Sequence, residues 1–372
     1  MTTNVLSTHG KVGSVTTTGY DLLDLLTDCV TRNASDLHLT INEPPIFRVH
    51  GELWRSEYPP LTKEELLTLV MSFLSDKQIV KFENELELDF SYSTPHAERF
   101  RINVHRQRGV IEAAIRRVPL EIPTLADLGV PEVWADMARK QSGLLLITGP
   151  SGMGKSTTMA SLIDMINSER KCLIVTIEDP VEFLHTNKKA VVKQREVYND
   201  TLSFATALRH ALRQDPEVIV VGEMRDLETI STALTAAETG HLVLATLPTS
   251  DAAQTISRII DVFPPFQQQQ VRYQLAHCLN GIISQLLLPH KSGSGRVLAS
   301  EILIATPGIR NLIREQQLQQ MLTVIQTGSK YGMNTMDSCL VKLYKQQMIS
   351  YETLISKICD LETYRLEIKV NR

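Results

Sequence analysis

One short segment combines glycines with a lysine and a serine at the spacing of a phosphate-binding loop. Residues 149–156 read GPSGMGKS and match G-x-x-x-x-G-K-[ST] at every fixed position. In such a loop the glycines let backbone N–H groups turn toward phosphate oxygens, and the following helix adds its positive amino end. Lys155 would reach the β- and γ-phosphates, and the Ser156 hydroxyl would bind Mg²⁺. A chance glycine-rich turn is the alternative, but the strand-like run before the loop and the helical pattern after it favour a phosphate site.

A carboxylate at the end of a second apolar run is the next candidate. Glu223 follows the run Val218–Val221 and Gly222. In a parallel sheet this position lies beside the phosphate loop, where a carboxylate can orient the attacking water or hold a metal-bound water. The aspartate that often precedes such a glutamate is replaced by Gly222. A glutamate that only ends a strand at the surface is the competing interpretation.

More carboxylates follow the strand-like run between these two. Residues 176–183 read TIEDPVEF and contain Glu178, Asp179 and Glu182. Because α/β sheets bind ligands at the carboxyl ends of their strands, these side chains are site candidates. The alternative is that Asp179 and the proline after it only form a turn. For Glu178 and Asp179, this alternative is as well supported as a role in the site.

The elements that would position these residues divide the chain into parts. Residues 19–118 mix apolar-periodic helices with short strand-like runs, which predicts a small α+β domain. Prolines mark a linker over 119–131. From 132 to 305 short apolar runs alternate with helical stretches, which predicts an α/β domain with a parallel sheet covered on both faces. We predict a C-terminal helical region over 306–372 and a disordered tail over 1–18.

The composition is that of an ordinary globular protein, with 43% apolar and 22% charged residues and a net charge of −4. This slightly negative net charge gives no electrostatic support for nucleic acid as the main partner, and we expect no nucleic-acid partner. No run approaches the ~20 apolar residues of a membrane-spanning helix. The five cysteines form no C-x-x-C pair, which favours reduced thiols over a disulfide framework or a zinc site. We therefore expect a cytoplasmic protein.

Four motifs together resemble the PilT-type pilus retraction ATPases, within the secretion ATPase superfamily. They are residues 35–51 (SDLHLTINEPPIFRVHG), 177–183 (IEDPVEF), 221–241 (VGEMRDLETISTALTAAETGH) and 306–321 (TPGIRNLIREQQLQQM). In that order they resemble the opening of a PAS-like N-terminal domain, the aspartate box, the Walker B strand with its helix, and the retraction subgroup's AIRNLIRE element with Gly308 in place of an alanine. The resemblance covers nearly the whole chain after residue 19. It implies a PAS-like domain followed by a RecA-like P-loop ATPase core.

The resemblance implies ATP and Mg²⁺ as ligands and gives roles to individual residues. Glu223 would be the Walker B glutamate and Glu182 the aspartate-box glutamate, each acting on the water or the metal. Mg²⁺ would be held by Ser156 and, through water, by one of these glutamates. His241 would close the Walker B helix near the γ-phosphate. The phosphate and magnesium ligands would come from Gly149, Pro150, Ser151, Gly152, Met153, Gly154, Lys155, Ser156 and Thr157.

The family's N-terminal arginines match Arg99, Arg101, Arg108 and Arg116 of this chain. The resemblance implies that they approach the phosphates of the nucleotide when the two domains close, in the manner of an arginine finger. Without the resemblance, this part of the sequence would be interpreted as a strand with a solvated basic face.

The sequence departs from the family at one position with chemical consequences. The family has a histidine box, T-L-H-T, on the strand after the Walker B helix, but residues 246–249 read TLPT. Pro248 has neither an imidazole nor a backbone N–H, so it cannot sense or polarise a phosphate. Either hydrolysis is impaired, or a neighbour such as His241 or Thr249 takes over the role. We favour reduced activity with nucleotide binding intact.

The resemblance also separates retraction from assembly. Extension and secretion ATPases of the superfamily usually carry a four-cysteine zinc insert late in the ATPase domain, whereas residues 281–300 contain no cysteine. We therefore expect an ATP-hydrolysing motor for type IV pilus retraction and twitching motility, docked at the inner face of the cytoplasmic membrane. The implied partners are a homo-hexamer and an inner-membrane platform protein, with a paralogous retraction ATPase as a further candidate. The element 306–315, with Arg310 and Glu315, is our hypothesis for the part that transmits the stroke.

Three alternatives are kept open. A pilus assembly or secretion ATPase is disfavoured by the missing zinc insert. A nucleotide-binding regulatory subunit with impaired hydrolysis is supported by Pro248. A RecA-like motor on nucleic acid is disfavoured because the sequence has no track of alternating aromatic and basic residues.

Overall fold

The computed structural model describes residues 20–49, 51–95, 98–118, 121–293 and 295–369. The chain divides into two compact units between residues 120 and 121, within the predicted linker 119–131. The tail predicted over 1–18 lies outside the described residues.

The first unit packs helices against one face of an antiparallel sheet. Its helices are α1 (Leu22–Thr31), α2 (Lys63–Met71) and α3 (Asp76–Glu85), and its strands are β1 (Asp36–Leu39), β2 (Ile46–Val49), β3 (Glu52–Arg55), β4 (Glu87–Ser93), β5 (Arg99–Gln107) and β6 (Val110–Val118). The strand order is β3-β2-β1-β6-β5-β4, and each neighbouring pair is antiparallel. This is the α+β domain expected from the mixed pattern of the sequence.

Alternation along the strands decides which face of this sheet is covered. In β5, Phe100, Ile102 and Val104 are fully buried against the helices, while Arg101 between them is exposed. Side chains on a strand alternate between its two faces, so the basic residues lie on the face opposite the core. At the start of α2, Thr62 and Glu65 form the reciprocal capping box that their T-x-x-E spacing predicts.

The second unit alternates strands and helices and then continues in helices. Its strands are β7 (Gly143–Thr148), β8 (Leu173–Glu178), β9 (Val191–Glu196), β10 (Val218–Val221), β11 (Leu242–Leu247), β12 (Leu279–Pro289) and β13 (Arg296–Ile304). Its helices are α4 (Val133–Ala138), α5 (Lys155–Glu169), α6 (Phe204–Ala211), α7 (Leu227–Glu238), α8 (Ala252–Asp261), α9 (Pro265–Cys278), α10 (Pro307–Arg314), α11 (Met321–Thr327), α12 (Met336–Lys345), α13 (Tyr351–Ile355) and α14 (Arg365–Lys369). In the described ranges, no helix combines the length and the apolarity that a membrane span requires.

The large sheet has the order β13-β12-β7-β11-β10-β8-β9. All neighbours are parallel except β12 and β13, which form an antiparallel hairpin. Every residue of β7, β10 and β11 is buried, as expected for strands that helices cover on both sides. In β7, Leu144 and Leu146 face one hydrophobic core and Leu145 and Ile147 face the other.

Part of the predicted linker is not a free connection. Residues 121–131 belong to the second unit, and Leu125 and Val130 pack against one of its cores. Thr124 and Asp127 close a turn there, because the Asp127 carboxylate accepts the backbone N–H of Thr124 at 2.9 Å. The prolines indicated a break in regular structure, but they carried no information about the apolar contacts that hold this segment.

Two glycines of the second unit allow a direct test of its packing. A Cβ added at Gly308 on α10 would meet only the Thr306 hydroxyl, at 3.9 Å, whereas a Cβ at Gly281 on β12 would come within 2.7 Å of the Leu303 carbonyl oxygen. We expect Gly308→Ala to stabilise the chain by about 0.5–1 kcal/mol. Gly281→Ala should destabilise it by about 1–3 kcal/mol. Urea unfolding of both variants checks the pair, and a shift of the two midpoints in the same direction would contradict the packing described.

Candidate functional site

The phosphate loop connects β7 to α5 at the carboxyl edge of the sheet. Gly149, Gly152 and Gly154 all have positive φ values, of 145°, 78° and 81°. This conformation favours glycine and curls the backbone into the concave shape that binds anions. Gly154 immediately precedes the first turn of α5, so the positive end of that helix faces the loop.

Lys155 lies across the mouth of this loop. Its Nζ donates to the carbonyl oxygens of Gly149 at 2.7 Å and Pro150 at 2.8 Å. Burial lowers the pKa of Lys155, and the negative charges of Glu223 and Glu182 oppose that shift. The two glutamates that the sequence proposed therefore act electrostatically on the lysine of the phosphate loop.

Strand β12 supports the loop from below. The Thr148 hydroxyl donates to the Ser284 hydroxyl at 2.9 Å, and the Gln285 Nε2 donates to the Thr158 hydroxyl at 2.7 Å. A Cβ at Gly149 would lie 2.5 Å from the Gln285 carbonyl oxygen, so only glycine allows this approach. Sequence reasoning missed Gln285, because a single glutamine in an apolar strand forms no motif.

Glu223 lies just past the carboxyl end of β10, two strands from β7. Its Oε2 accepts a hydrogen bond from Arg225 Nη2 at 2.7 Å. The glycine before it has a steric explanation, since a Cβ at Gly222 would approach the Ile177 carbonyl oxygen to 3.1 Å and the Glu178 Cα to 3.3 Å. An aspartate at this position would therefore require β8 to shift by a few tenths of an ångström, which favours glycine.

The three carboxylates at the end of β8 and just after it, Glu178, Asp179 and Glu182, differ in how exposed they are. Glu178 accepts hydrogen bonds from the Thr176 hydroxyl at 2.6 Å and from Gln194 Nε2 at 3.1 Å. Burial raises the pKa of Glu178, and these hydrogen bonds oppose the rise. Its oxygens serve the structure of the strand end, whereas Asp179 and Glu182 are exposed. Of the three, only Glu182 acts on Lys155.

Pro248 follows β11, the strand between β7 and β10, so it lies between the phosphate loop and Glu223. Its side chain is exposed. The hydroxyl of Thr249 is 2.6 Å from the Thr255 hydroxyl, which itself donates to the Asp251 carbonyl oxygen at 2.6 Å. Because Thr255 donates to Asp251 in this arrangement, Thr249 is the donor to Thr255.

The expected role of His241 at the γ-phosphate is wrong for a site within one chain. His241 precedes β11, and its carbonyl oxygen accepts the N–H of Gly143, the first residue of β7. In a parallel pair both amino ends lie at the same edge, opposite the phosphate loop. The strand β7 rises by about 3.3 Å per residue over the five steps from Gly143 to Thr148, so the edge that carries His241 is roughly 17 Å from the start of the phosphate loop. The sequence placed His241 by motif position and could not show on which edge it lies.

The N-terminal arginines lie in the first unit, and the structure groups three of them. Arg101 pairs with Arg116 across β5 and β6, and Arg99 is two residues along the same face. Arg116 Nε donates to Asp36 Oδ1 at 2.8 Å. Arg108 instead occupies the turn between β5 and β6. At about 3.4 Å per residue it lies roughly 24 Å from Arg101, so one phosphate group cannot contact both.

The donor set around the loop fits Mg²⁺ with a phosphorylated ligand. Magnesium prefers oxygen ligands and is usually bound by one or two protein groups plus phosphates and water. Ser156 in the first turn of α5 offers a hydroxyl, and Glu223 and Glu182 offer carboxylates near Lys155. Among the described residues, no group of three or more His, Cys, Asp or Glu side chains could hold a metal ion unaided.

Comparison with known proteins places the chain. The sequence profile of the family described as Type II/IV secretion system protein matches residues 19–358. The chain belongs to this family. It is 48% identical to the type IV pilus retraction ATPase PilT of Pseudomonas aeruginosa, covering 91% of this chain and 98% of PilT. It is 46% identical to a twitching motility protein of Neisseria gonorrhoeae, covering 90% of this chain and 89% of that protein.

A solved structure agrees with the sequence comparison. The crystal structure of the pilus retraction motor PilT with bound ADP matches this fold with a TM-score of 0.88 at 48% identity, covering 93% of this chain and 99% of that chain. The α/β fold class and the resemblance to PilT-type proteins, both predicted from the sequence, are confirmed.

The placement of His241 can be checked by binding, without any turnover. ADP, the ligand in the PilT crystal structure, is the probe. We expect Lys155→Ala to weaken ADP binding by about 10- to 100-fold, because it removes charge-assisted hydrogen bonds to phosphate. His241→Ala should change the dissociation constant by no more than about twofold, because its side chain lies at the opposite edge. Fluorescence titration measures both, and equal losses would mean that His241 reaches the nucleotide.

Proposed function

We propose that this chain is an ATP-hydrolysing motor that powers type IV pilus retraction. The observation that carries the proposal is the site itself: a phosphate loop whose Lys155 faces Glu223 and Glu182 at one edge of a parallel sheet. The 48% identity to PilT over 91% of the chain supports the cellular role. The substrates would be ATP and water, with Mg²⁺ as the cofactor.

Each residue of the site has a chemical task in this proposal. The loop N–H groups and Lys155 bind the β- and γ-phosphates and hold the γ-phosphoryl group in line for attack. Glu223 orients the attacking water, and Glu182 acts on the same water or on a metal-bound one. Arg225, which donates to Glu223 at 2.7 Å, holds the carboxylate in place. Mg²⁺, when bound with ATP, would neutralise phosphate charge with the Ser156 hydroxyl as a ligand.

Arginines have a further task in the proposed reaction. Phosphoryl transfer spreads negative charge over the transferred oxygens, and an arginine supplied from another domain or subunit stabilises that charge. We propose this task for Arg99, Arg101 and Arg116, which share one face of the N-terminal sheet. The proposed assembly is a homo-hexamer that acts on an inner-membrane platform protein from the cytoplasmic side, with a paralogous retraction ATPase as a further partner.

The C-terminal element 306–315 is connected to the nucleotide site through strand β12. Arg310 on α10 donates to the carbonyl oxygens of Ala305 at 3.0 Å and Leu279 at 2.8 Å, and also to those of Ala276 and His277. It therefore joins α10 to the point where α9 passes directly into β12. Farther along β12, Gln285 donates to Thr158 on α5, and its carbonyl oxygen lies against Gly149 of the phosphate loop. We propose that movement of the element 306–315 and the nucleotide site are linked along this strand.

A second candidate function has a specific observation in its favour. Pro248 occupies the place between the phosphate loop and Glu223 where the family carries a histidine. His241 lies at the opposite edge, and the hydroxyl proton of Thr249 is bound to Thr255. In this arrangement, neither proposed substitute donates to a phosphate. A nucleotide-binding subunit with impaired hydrolysis, joined to an active paralogue in a ring, fits these contacts.

Steady-state hydrolysis of ATP separates the two candidates. We expect the chain to hydrolyse ATP, more slowly than Pro248→His, because an imidazole there can polarise the phosphate. A chain that binds ATP but gains turnover only in Pro248→His, by roughly 100-fold in kcat, would instead be the impaired subunit. Glu223→Ala in the Pro248→His background should remove turnover while leaving ATP binding intact. If the unaltered chain hydrolyses ATP at the rate of Pro248→His, and only Glu223→Ala abolishes it, the chain is a motor that works without the histidine.

The arginine assignment has a matched control on the same hairpin. In the Pro248→His background, Arg101→Ala should lower kcat by about 10³-fold, as expected for an arginine finger, and leave ADP affinity nearly unchanged. Arg108→Ala removes the same charge from the turn of the same hairpin and should leave kcat within about twofold. Single-turnover hydrolysis measures both. Equal losses would show that overall basic charge matters rather than the position of Arg101.

A further inference from the structure

Glu182 lies between two buried apolar side chains. Val181 and Phe183 are 3% and 8% exposed, whereas Glu182 is exposed. Residues 179–185, which include it, follow β8. The strands from β8 to β7 are all parallel, so the carboxyl end of β8 lies at the same edge of the sheet as the phosphate loop. Where the Glu182 carboxylate lies at that edge therefore depends on how the backbone of residues 179–185 is fixed.

Gln194 on the neighbouring strand β9 binds both ends of this segment. Its Nε2 donates to Glu178 Oε1 at 3.1 Å, just before the segment, and to the Phe183 carbonyl oxygen at 2.8 Å, just past Glu182. Its Oε1 accepts the N–H of His185 at 2.9 Å. A carboxamide has two N–H donors and an acceptor oxygen, and these three contacts use all of them.

Glu196 adds a contact on the other side of Glu182. It lies two residues after Gln194, on the same face of β9, and its Oε2 accepts the N–H of Val181 at 3.1 Å. Glu196 is 4% exposed, and its other oxygen accepts a hydrogen bond from Asn199 Nδ2. Glu182 is therefore flanked on both sides by backbone that is bound to side chains of β9.

We propose that Gln194 is a positioning residue for Glu182 in the hydrolysis of ATP. By fixing the backbone of residues 179–185, it holds the Glu182 carboxylate ready for the attacking water or a metal-bound water before the reaction begins. Without these contacts the segment samples several positions, and Glu182 is in place for only part of the time. The inference rests on the proposed ATPase function and on the task given there to Glu182.

The first test compares kcat with KM in the full chain that carries Pro248→His. Gln194→Met has a similar length but removes the two N–H donors and the amide oxygen. It should lower kcat by about 10- to 100-fold and leave the KM for ATP within about twofold, because Lys155 and the loop N–H groups still bind the phosphates. Gln194→Glu keeps an acceptor oxygen but loses both donors, and it should give the same loss of kcat. It serves as the second variant if Gln194→Met does not fold.

A double-mutant cycle separates positioning from general support of the fold. Glu182→Ala should lower kcat at least as much as Gln194→Met does. In the Glu182→Ala background, Gln194→Met should lower kcat by no more than about twofold, because the carboxylate that it positions is already missing. A residue that only stabilises the fold would give the same loss with and without Glu182.

Asn167 on α5 provides the matched control. Its Nδ2 donates to the Thr186 carbonyl oxygen at 2.8 Å, and its Oδ1 accepts the N–H of Lys188 at 3.0 Å, so this buried amide binds the chain just after residues 179–185. Asn167→Ala should leave kcat within about threefold, and its effect should be the same with and without Glu182.

Hydrogen exchange follows the same variants without turnover. In Gln194→Met, the amides of Val181 and His185 should exchange at least about tenfold faster, because the contacts that close this segment are lost. In Asn167→Ala, the faster exchange should appear at Lys188 instead.

The possible results lead to different conclusions. Unchanged exchange at Val181 and His185, or an equal loss of kcat with and without Glu182, overturns the positioning and leaves the proposed function standing. Normal turnover in Glu182→Ala also overturns it, because no catalytic group is then being positioned. If neither the unaltered chain nor Pro248→His hydrolyses ATP, the proposed function fails and this inference fails with it.

Discussion

The backbone pairing of β7 with β11 on one side and β12 on the other is the constraint on which the site depends. Both pairings are parallel, so three strands bring their carboxyl ends to one edge. The phosphate loop, residues 248–251 and Gln285 meet there because of that direction alone. The same pairing sends His241 to the opposite edge. Since all residues of β7 are buried, its register is held by both cores and cannot slip without exposing one of them.

Strand β12 connects helix α10 to the phosphate loop. At its first residue, Leu279, the carbonyl oxygen is bound by Arg310, and six residues later the carbonyl oxygen of Gln285 lies against Gly149 of the phosphate loop. A strand within a sheet is stiff along its length, so a displacement at one end is carried to the other. Strand β13, paired along β12, contacts α8 through Glu301, whose Oε1 accepts the N–H of Ala252, and contacts the chain just before α12 through the backbone pairing of Ile302 with Asn334. The hairpin is thus the common support of the nucleotide site and the C-terminal helices.

What the sequence could predict follows from how local each signal is. The sequence predicted the phosphate loop and Glu223 because each is recognised from a few adjacent residues that follow an apolar run. The β12–β13 hairpin was not predicted: β12 begins directly after α9, without a turn signal between them. Helix α3 was also not predicted, because Phe82 is its only buried residue and the helix therefore shows no apolar stripe in the sequence. Apart from Ala305, the hydrogen-bond partners of Gln285, Glu301 and Arg310 lie 31 to 127 residues away along the chain, and no local pattern contains such contacts.

Pro248 shows how a change in chemistry can leave the fold unaffected. A proline requires an extended residue before it, and Leu247 is the last residue of β11. The ladder hydrogen bond at this point uses the Leu247 carbonyl oxygen, which accepts the Gly149 N–H at 3.2 Å, so the missing N–H of Pro248 costs the sheet nothing. The phosphate loop, Lys155 and Glu223 keep their positions around it. Selection for stability alone would therefore not remove this proline, and our proposal assigns its consequence to the γ-phosphate rather than to the binding of the nucleotide.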